Sequence, residues 1–395
     1  MSEAALDAAF ALHHAGRLDE AASAYRAIAP DDAVYLDALQ LLGIVAGQQG
    51  RHDEAVELLT RVTAQRPDFL PARSNLGNAQ LAAGQPAAAL ACFEAVLAGQ
   101  AGDLFATRGR ARSLYALGRL SEALAGYDAT LALDPGCVIS QMQCGDVLLR
   151  LGRRDEGVQA LQRALALGVD AQRAQHTRFV LASVGEDEMP QQAPAAYVKE
   201  LFDGYAEGFD QALVQELDYR TPQLLAELLA DEAGAALAVL DLGCGTGLCG
   251  PLLRPRADRL VGVDLSEKML AKAGQRGLYD ALDCAELTAW LAACNERFDL
   301  VVAADVFVYL GDLSAVFAGV RRVLRPGGRF LFSVEAALEG EVELGASRRY
   351  RHALPYLQRL AAEQGFELVR AESRVLRRNL DADVQGHLLL LRAGA

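Results

Sequence analysis

The chain has 395 residues, of which 52% are apolar, and a formal net charge of −14 at pH 7. This length exceeds what one hydrophobic core usually organises, so the sequence predicts two or more folded domains. The acidic balance disfavours nucleic acid as a partner, because affinity for a phosphate backbone comes from clustered Lys and Arg, and lysine occurs only at Lys199, Lys268 and Lys272.

The N-terminus and the cysteines bear on location and metal content. The first residues lack the basic start of a secretory signal, and no uncharged apolar run approaches the roughly 20 residues of a membrane helix, which predicts a soluble, cytoplasmic protein. No Cys-x-x-Cys pair occurs, and the number of cysteines is odd, so we expect reduced thiols, no disulfide framework and no metal site. The cysteines are Cys92, Cys137, Cys144, Cys244, Cys249, Cys284 and Cys294.

A short phrase, first seen as Gly16-Arg17-Leu18-Asp19-Glu20-Ala21, recurs along the N-terminal part of the chain. The phrase begins with glycines spaced 34 residues apart, at Gly16, Gly50, Gly84, Gly118 and Gly152. A period of 34 is typical of helix–turn–helix repeats: the glycine ends one helix, and the acidic residues that follow favour the start of the next. Two copies depart from the phrase, since the third lacks Arg and Glu and the fifth has Gly157 in place of alanine, which predicts weaker packing there.

These repeats, with a small residue midway through each first helix, resemble tetratricopeptide repeats. The small residues are Ala9, Gly43, Gly77, Ala111 and Gly145. The resemblance implies five repeats over residues 1–171 that form an all-α solenoid whose concave face binds a protein or peptide partner. The alternative is a solenoid that only supports the rest of the chain.

Residues 172–195 are interpreted as a capping helix and a linker. A helical apolar pattern runs to residue 184 and predicts a capping helix, which a terminal repeat requires for solubility. Residues 185–194 are acidic and contain two prolines, which marks a domain boundary. A second folded domain is therefore predicted to cover 196–395.

An apolar strand runs into a glycine loop with the pattern Asp241-x-Gly243-x-Gly245-x-Gly247. The glycines alternate at every second residue, unlike the dinucleotide-binding fingerprint, and no P-loop lysine follows. A second strand ends at Asp264, where an acidic residue of a Rossmann-like sheet accepts hydrogen bonds from both ribose hydroxyls. The alternative for Asp264 is an N-cap of the helix that follows.

The remaining segments continue the alternation of strand and helix and predict seven strands with a terminal hairpin. The glycine pattern, Phe298-Asp299-Leu300-Val301 and the phrase at 323–328 resemble class I S-adenosylmethionine-dependent methyltransferases over roughly 196–395. The segment that leads into the first strand, called the lead-in below, has motifs at 202–206, 209–210 and 219–220. These motifs are similar to those of predicted bacterial repeat-containing methyltransferases. The fold class implied is multidomain: an all-α solenoid, then an α/β Rossmann-like domain.

The resemblance implies S-adenosyl-L-methionine as cofactor and gives roles to individual residues. Asp241 and the three glycines of the loop would shape the methionine pocket. Asp264 would bind the ribose, and Leu265 would pack on the adenine. Glu286 would lie near the adenine amine; its alternative is a solvated helix start.

Four further candidates lie near the expected transfer site. Asp305, which ends the fourth strand, would contact cofactor or substrate. Tyr205 and Arg220 would close over the cofactor and pair with its carboxylate, the alternatives being a core aromatic and a surface arginine. The catalytic residues are unknown, with His352 and Tyr205 as candidates; an exposed histidine in a basic loop is the alternative for His352.

The sequence therefore predicts transfer of a methyl group to an oxygen, nitrogen or carbon of a small molecule or protein. Base methylation of nucleic acid is disfavoured, because the fourth strand does not end in Asn/Asp-Pro-Pro-Tyr. One alternative is a repeat scaffold whose methyltransferase half binds cofactor without turnover. A nucleotide-dependent oxidoreductase is disfavoured by the glycine spacing.

Overall fold

A computed structural model describes residues 2–205, 210, 219–230, 236–379 and 382–394. Contacts between residues divide the chain into two compact units, Met1–Asp170 and Ala171–Ala395. Parts of the predicted lead-in, residues 206–209 and 211–218, lie outside the described residues, as does the side chain of Tyr205. Within the described part, no helix is long and apolar enough to span a bilayer.

The first unit consists, in its described residues, of five consecutive helix pairs, as the 34-residue period predicts. The helices are α1 (Ser2–His14), α2 (Leu18–Arg26), α3 (Tyr35–Gln48), α4 (His52–Gln65), α5 (Leu70–Ala82), α6 (Pro86–Gly99), α7 (Leu104–Ala116), α8 (Leu120–Leu133), α9 (Val138–Arg150) and α10 (Arg154–Ala166).

The recurring glycine makes the turn inside each pair. All five have a positive φ, between 72° and 77°, and an added Cβ would meet nothing within 4 Å. The requirement is therefore the left-handed backbone conformation, which glycine adopts without steric cost, and not lack of space. In the third copy Pro86 stands at the start of α6, where its fixed φ suits a first helical turn and the missing N–H costs nothing.

The fifth pair differs from the sequence expectation. Gly157 was expected to weaken packing, but a Cβ there would lie 2.9 Å from the Gly145 carbonyl oxygen and 2.9 Å from the Leu149 side chain. The expectation of weaker packing is therefore wrong, because two glycines facing each other let α9 and α10 approach more closely than alanine would allow.

The second unit is a mixed nine-stranded sheet with helices on both faces. Its strands are β1 (Leu237–Leu242), β2 (Ala257–Asp264), β3 (Ala281–Cys284), β4 (Phe298–Ala303), β5 (Leu324–Ala336), β6 (Val342–Leu344), β7 (Tyr350–His352), β8 (Phe366–Asn379) and β9 (Ala382–Ala393). Its described helices are α11 (Ala171–Ala182), α12 (Ala195–Tyr205), α13 (Thr221–Leu228), α14 (Gly250–Leu253), α15 (Glu267–Gln275), α16 (Leu287–Ala293), α17 (Ser314–Val323) and α18 (Leu354–Glu363).

The strand order explains where a site can form. Parallel strands run in the order β3-β2-β1-β4-β5, and the hairpin β8–β9 adds antiparallel to β5 through β9. These are the seven strands that the sequence predicts; β6 and β7 extend the carboxyl end of β5 and were not foreseen. Because the chain leaves β1 toward β2 and later returns to β4, a crevice opens at the carboxyl ends of these strands.

Apolar side chains on both faces of this sheet hold the helices in place. Leu225 and Leu228 of α13 pack with Val239 and Leu300 on one face, and α17 packs on the other through residues that include Phe317. Both faces are buried, as parallel strands require.

The segment predicted as capping helix and linker packs against other residues of the second unit. Phe179 of α11 clusters with Ala193 and Tyr350, and the Tyr350 hydroxyl donates a hydrogen bond to the carbonyl of Pro190 at 2.7 Å. The Gly311 amide donates to the Gln191 carbonyl at 2.7 Å. The boundary at 172–195 stays a prediction.

Replacing Gly157 with valine should destabilise the fifth helix pair, since the added atoms overlap the Gly145 carbonyl. Overpacking of this kind costs about 1–3 kcal/mol. We expect amide hydrogen exchange in peptides from α9 and α10 to be at least about fivefold faster, measured by mass spectrometry on the full chain.

The matched control is Gln159→Val, which places the same side chain at an exposed position of the same helix. Equal exchange rates in the two variants would contradict the close approach of α9 and α10.

Candidate cofactor and acceptor site

A cavity of about 510 Å³ lies at the carboxyl ends of β1, β2 and β4. Most of the residues predicted from the sequence line it: Asp241, Gly243, Gly245, Asp264, Leu265, Glu286 and Asp305. Gly247, Arg220 and His352 are not among its lining residues. Sequence positions separated by more than sixty residues are therefore brought into one cavity by the parallel strands.

The three loop glycines share a positive φ but differ in what surrounds them. At Gly243 a Cβ would overlap a methyl carbon of Val306, and at Gly247 it would lie 2.9 Å from the ring of Tyr279. At Gly245 it would meet nothing within 4 Å, and this glycine lines the cavity. Gly243 and Gly247 therefore allow close packing, while Gly245 leaves the backbone open to a ligand.

Asp241 is nearly inaccessible, with 1% of its surface exposed. Burial raises the pKa of its carboxyl group to about 7, because it disfavours the charged form; a hydrogen bond from the Tyr279 hydroxyl at 2.7 Å acts in the opposite direction. The charge of Asp264 contributes to this raised pKa. The charge on this side of the cavity consequently changes near neutral pH.

Asp264 organises the loop that it faces. One carboxylate oxygen accepts a hydrogen bond from the Gly245 amide at 2.9 Å, and the other accepts one from the Ser266 amide at 2.9 Å. Burial raises the pKa of Asp264, and these backbone donors oppose that rise. The helix N-cap is Ser266, whose hydroxyl accepts from the Met269 amide, so the interpretation of Asp264 as the N-cap is wrong.

Glu286 starts a helix and also lines the cavity, and its place near an adenine amine stays a prediction. It is the N-cap of α16, where its side chain accepts hydrogen bonds from the Ala289 amide at 2.8 Å and from the Thr288 hydroxyl at 2.5 Å. It also lines the cavity, as does Leu265. A helix start and a contact with a bound ligand are compatible here.

Two aspartates of the lead-in form hydrogen bonds with the glycine loop and with the start of α15. Asp203 of α12 accepts a hydrogen bond from the Ser266 hydroxyl at 2.5 Å. Asp210 accepts one from the Thr246 hydroxyl at 2.5 Å and pairs with the Arg276 guanidinium. The sequence pattern contained both aspartates, but the roles of Thr246 and Arg276 carried no signal in it.

Arg220 and Tyr205 do not form a described clasp over the cavity. Arg220 is exposed, and its backbone amide donates to the carbonyl of Leu376 at 3.2 Å. Tyr205 is the last residue of α12, and its side chain lies outside the described residues, so its role stays a prediction.

Asp305 adopts a φ of 55°, which is uncommon for a residue other than glycine and marks a locally strained backbone. Ser333 holds it there: the Asp305 amide donates to the Ser333 hydroxyl at 2.8 Å, which in turn donates to the Asp305 carboxylate at 2.9 Å. The other carboxylate oxygen pairs with Arg377 at 3.3 Å. This arrangement keeps the Asp305 carboxylate fixed at the cavity wall.

A buried ion-pair network continues from Asp305 along the same wall. Glu335, 3% exposed, accepts a hydrogen bond from Nε of Arg349 at 2.6 Å and pairs with Arg377. The charges of these two arginines lower the pKa of the Glu335 carboxyl, against the effect of burial. Sequence reasoning missed the network because its members lie on four separate strands and strand ends.

His352 lies away from the cavity. Its side chain is fully buried, contacts the Gly311 carbonyl through Nε2 at 3.2 Å and stacks on Tyr356. Burial lowers its pKa to about 4. The expectation of an exposed histidine is wrong, and His352 is not among the residues that line the cavity. In the described part of the chain, no group of three or more His, Cys, Asp or Glu is arranged to hold a metal.

Family models match both units. Tetratricopeptide repeat models match residues 2–27, 48–107 and 108–175, and a methyltransferase domain model matches residues 240–332. The methyltransferase match includes the end of β1 and all of β2 and β4, and therefore the glycine loop, Asp264 and Asp305.

Similar proteins carry related names. A ubiquinone biosynthesis O-methyltransferase of Cereibacter sphaeroides is 36% identical over 30% of this chain and 50% of that protein. A malonyl-acyl-carrier-protein O-methyltransferase of Hamiltonella defensa is 31% identical over 34% of this chain and 50% of that protein. The chain spans about half the length of these curated relatives. A crystal structure of magnesium protoporphyrin IX methyltransferase from Synechocystis PCC 6803 with bound SAH covers 51% of this chain and 99% of its own, at 20% identity and a TM-score of 0.40. The chain thus joins tetratricopeptide repeats to a C-terminal methyltransferase domain.

Proposed function

We propose that this chain is an S-adenosylmethionine-dependent methyltransferase with a repeat domain that recruits its partner or substrate. One observation carries the proposal: the glycine loop after β1 and the carboxylate of Asp264 at the end of β2 line one cavity at the strand switch point. An acidic residue at that place suits two ribose hydroxyls and repels a 2′-phosphate.

The residues present fit this cofactor by shape and by charge. The open backbone at Gly245 leaves room for close approach, since a Cβ there would meet no atom within 4 Å. Three carboxylates, Asp241, Asp264 and Glu286, line the cavity and favour a ligand with positive charges. When bound, S-adenosylmethionine supplies a methyl group on a cationic sulfonium.

The chain's own contribution is binding and alignment. Asp305 is held rigidly by Ser333 and Arg377 at the end of β4, so it can orient an acceptor group with little loss of entropy. Because His352 is buried elsewhere, the described residues favour an acceptor that does not require an imidazole base. A scaffold that binds cofactor without turnover is the second candidate, because no described histidine lines the cavity as a base.

Replacing Asp264 with alanine should weaken cofactor binding, because the ribose loses its carboxylate partner and the Gly245 amide loses its acceptor. Hydrogen bonds to a charged group contribute about 1.5–3 kcal/mol, so at least about tenfold weaker binding is expected. Isothermal titration calorimetry with S-adenosylmethionine and S-adenosylhomocysteine measures this.

Asp258→Ala is the matched control, since Asp258 is exposed near the other end of the same strand. Unchanged affinity in Asp264→Ala, or no binding to the wild type, would refute the cofactor assignment and favour a protein that acts only through its repeats.

The preference for S-adenosylmethionine over S-adenosylhomocysteine should increase between pH 6 and pH 8. The pKa of Asp241 is raised to about 7, so its carboxyl group gains negative charge over this range. The charged carboxylate attracts the sulfonium of S-adenosylmethionine, and S-adenosylhomocysteine has no sulfonium. We expect the ratio of the affinity for S-adenosylmethionine to that for S-adenosylhomocysteine to rise roughly three- to tenfold. Attraction between a carboxylate and a sulfonium at an effective dielectric constant near 20 is large enough for this change.

Calorimetric titrations of both compounds at the two pH values test this, with Asp241→Asn as comparison. The amide cannot ionise, so its ratio should not change with pH; a similar rise in Asp241→Asn would assign the effect to another group.

The repeats are proposed to recruit a protein or peptide through the first helices of the pairs. Phe105 is 65% exposed on α7 and Ile139 is 38% exposed on α9. Arg112 lies exposed on α7, and the Arg150 guanidinium lies 5.1 Å from the Tyr115 ring centroid. Exposed apolar groups among arginines suit a partner segment with apolar and acidic side chains.

The double variant Phe105→Ser, Ile139→Ser should lose methylation of protein acceptors while keeping the wild-type affinity for S-adenosylhomocysteine. Tritiated S-adenosylmethionine and an extract of the source cells serve as the assay, with labelled proteins separated by electrophoresis. We expect these two side chains to be hot spots of the interface; truncating a hot spot costs more than about 1 kcal/mol of binding, so labelling should fall at least about fivefold.

Leu133→Ser, which removes an apolar side chain 50% exposed at the end of α8, is the control. Equal labelling by all three proteins would contradict recruitment by this surface, and label found only in small molecules would favour a supporting role for the solenoid.

A further inference from the structure

One wall of the cavity carries cationic groups that the cofactor assignment does not use. Tyr309 follows β4, Ser347 and Arg349 precede β7, and Arg377 belongs to β8; all four line the cavity. The residues assigned to the cofactor come instead from the ends of β1 and β2 and from the segment after β3. In the strand order these two groups lie on different sides of the boundary between β1 and β4.

The two arginines are held from behind by a buried carboxylate. Glu335 is 3% exposed, accepts from Nε of Arg349 at 2.6 Å, pairs with Arg377 and is not among the cavity-lining residues. The side chains of Arg349 and Arg377 are 22% and 7% exposed. The carboxylate that compensates the buried positive charge therefore fixes the guanidinium groups and leaves them, not itself, at the cavity surface.

Arg349 is the more available of the two for a ligand. Arg377 is engaged by both Glu335 and Asp305, the latter at 3.3 Å. Arg349 contacts one carboxylate and, through Nη1 at 3.4 Å, the hydroxyl of Tyr309, and its guanidinium lies 5.5 Å from the Tyr309 ring centroid. Ser347 lines the cavity only two residues before Arg349. The Arg349 guanidinium in contact with the Tyr309 hydroxyl, together with the Ser347 hydroxyl in the same cavity lining, is a set of donors suited to an oxyanion.

We propose that Arg349, with Tyr309 and Ser347, forms a subsite that binds a carboxylate group of the methyl acceptor. This inference rests on the proposed function, because it assigns the substrate class of the same cavity. A singly charged, planar carboxylate matches the fork of one guanidinium. A phosphate dianion is disfavoured, since Asp305 and Glu335 lie next to the same arginines and would repel the second charge.

The test uses benzoate and its uncharged analogue benzamide as probes of full-length protein saturated with S-adenosylhomocysteine. Ligand-observed NMR measures millimolar dissociation constants. We expect benzoate to bind at least tenfold more tightly than benzamide, and Arg349→Gln to remove at least tenfold of the benzoate affinity, because the charged donor is lost. Arg349→Lys should retain part of it, since the charge stays but the fork does not.

Arg351→Gln is the matched control: Arg351 lies two residues away, its Nε is 3.8 Å from Glu335, and it does not line the cavity. Benzoate affinity in this variant should equal the wild-type value. If Arg349→Gln does not fold, as judged by its melting curve, Tyr309→Phe and Ser347→Ala replace it, each with an expected loss of about threefold from one hydroxyl donor.

Titration of S-adenosylhomocysteine into each protein separates the two hypotheses. Failure of the wild type to bind it refutes the proposed function. Normal binding, together with benzoate no tighter than benzamide, or benzoate affinity unchanged in Arg349→Gln, overturns the carboxylate subsite. Tighter binding of phenyl phosphate than of benzoate would likewise overturn the assignment to carboxylate.

Discussion

The hydrogen bond from the Gly245 amide to the carboxylate of Asp264 ties the loop after β1 to the end of β2. It depends on two constraints. Parallel pairing of β1 with β2 brings both strand ends to the same edge of the sheet, and a positive φ at Gly245 turns its amide toward the neighbouring strand. Asp264 also accepts from the Ser266 amide, and Ser266 caps α15, so the same carboxylate positions the loop and the helix start. The cavity is built around this contact.

Charge is distributed unevenly in the cavity, and this distribution gives the two parts different chemistry. Carboxylates at the ends of β1 and β2 favour a cationic ligand. Arg349, which directly precedes β7, and Arg377 of β8 lie instead on the side of β4 and β5. Glu335 stabilises the two buried arginines, because a buried guanidinium without a paired carboxylate would be destabilising. Asp305 lies where the two regions meet, with its strained backbone fixed by Ser333. A ligand with a sulfonium and an acceptor with a carboxylate would each find groups of opposite charge.

The repeats also depend on glycine, for two different reasons. Each helix pair turns at a glycine with φ near 75°, and in the fifth pair Gly145 and Gly157 bring two helices together. In the first case glycine is required for conformation, in the second for space. Because each pair packs on its neighbours, such local choices repeat along the solenoid.

The sequence by itself determined the 34-residue period, the glycine loop, Asp264 and the seven principal strands, because these are local patterns in which turn chemistry and periodicity fix the conformation. It also placed Glu286 and Asp305 near the cavity, since both follow strands of the parallel sheet. Only the tertiary structure decided that His352 is buried away from the cavity, that Ser266 and not Asp264 caps α15, and that Gly157 permits close packing. Only the tertiary structure, too, joined Glu335 to Arg349 and Arg377. These contacts pair residues from distant strands, and no local propensity records which strand ends will meet.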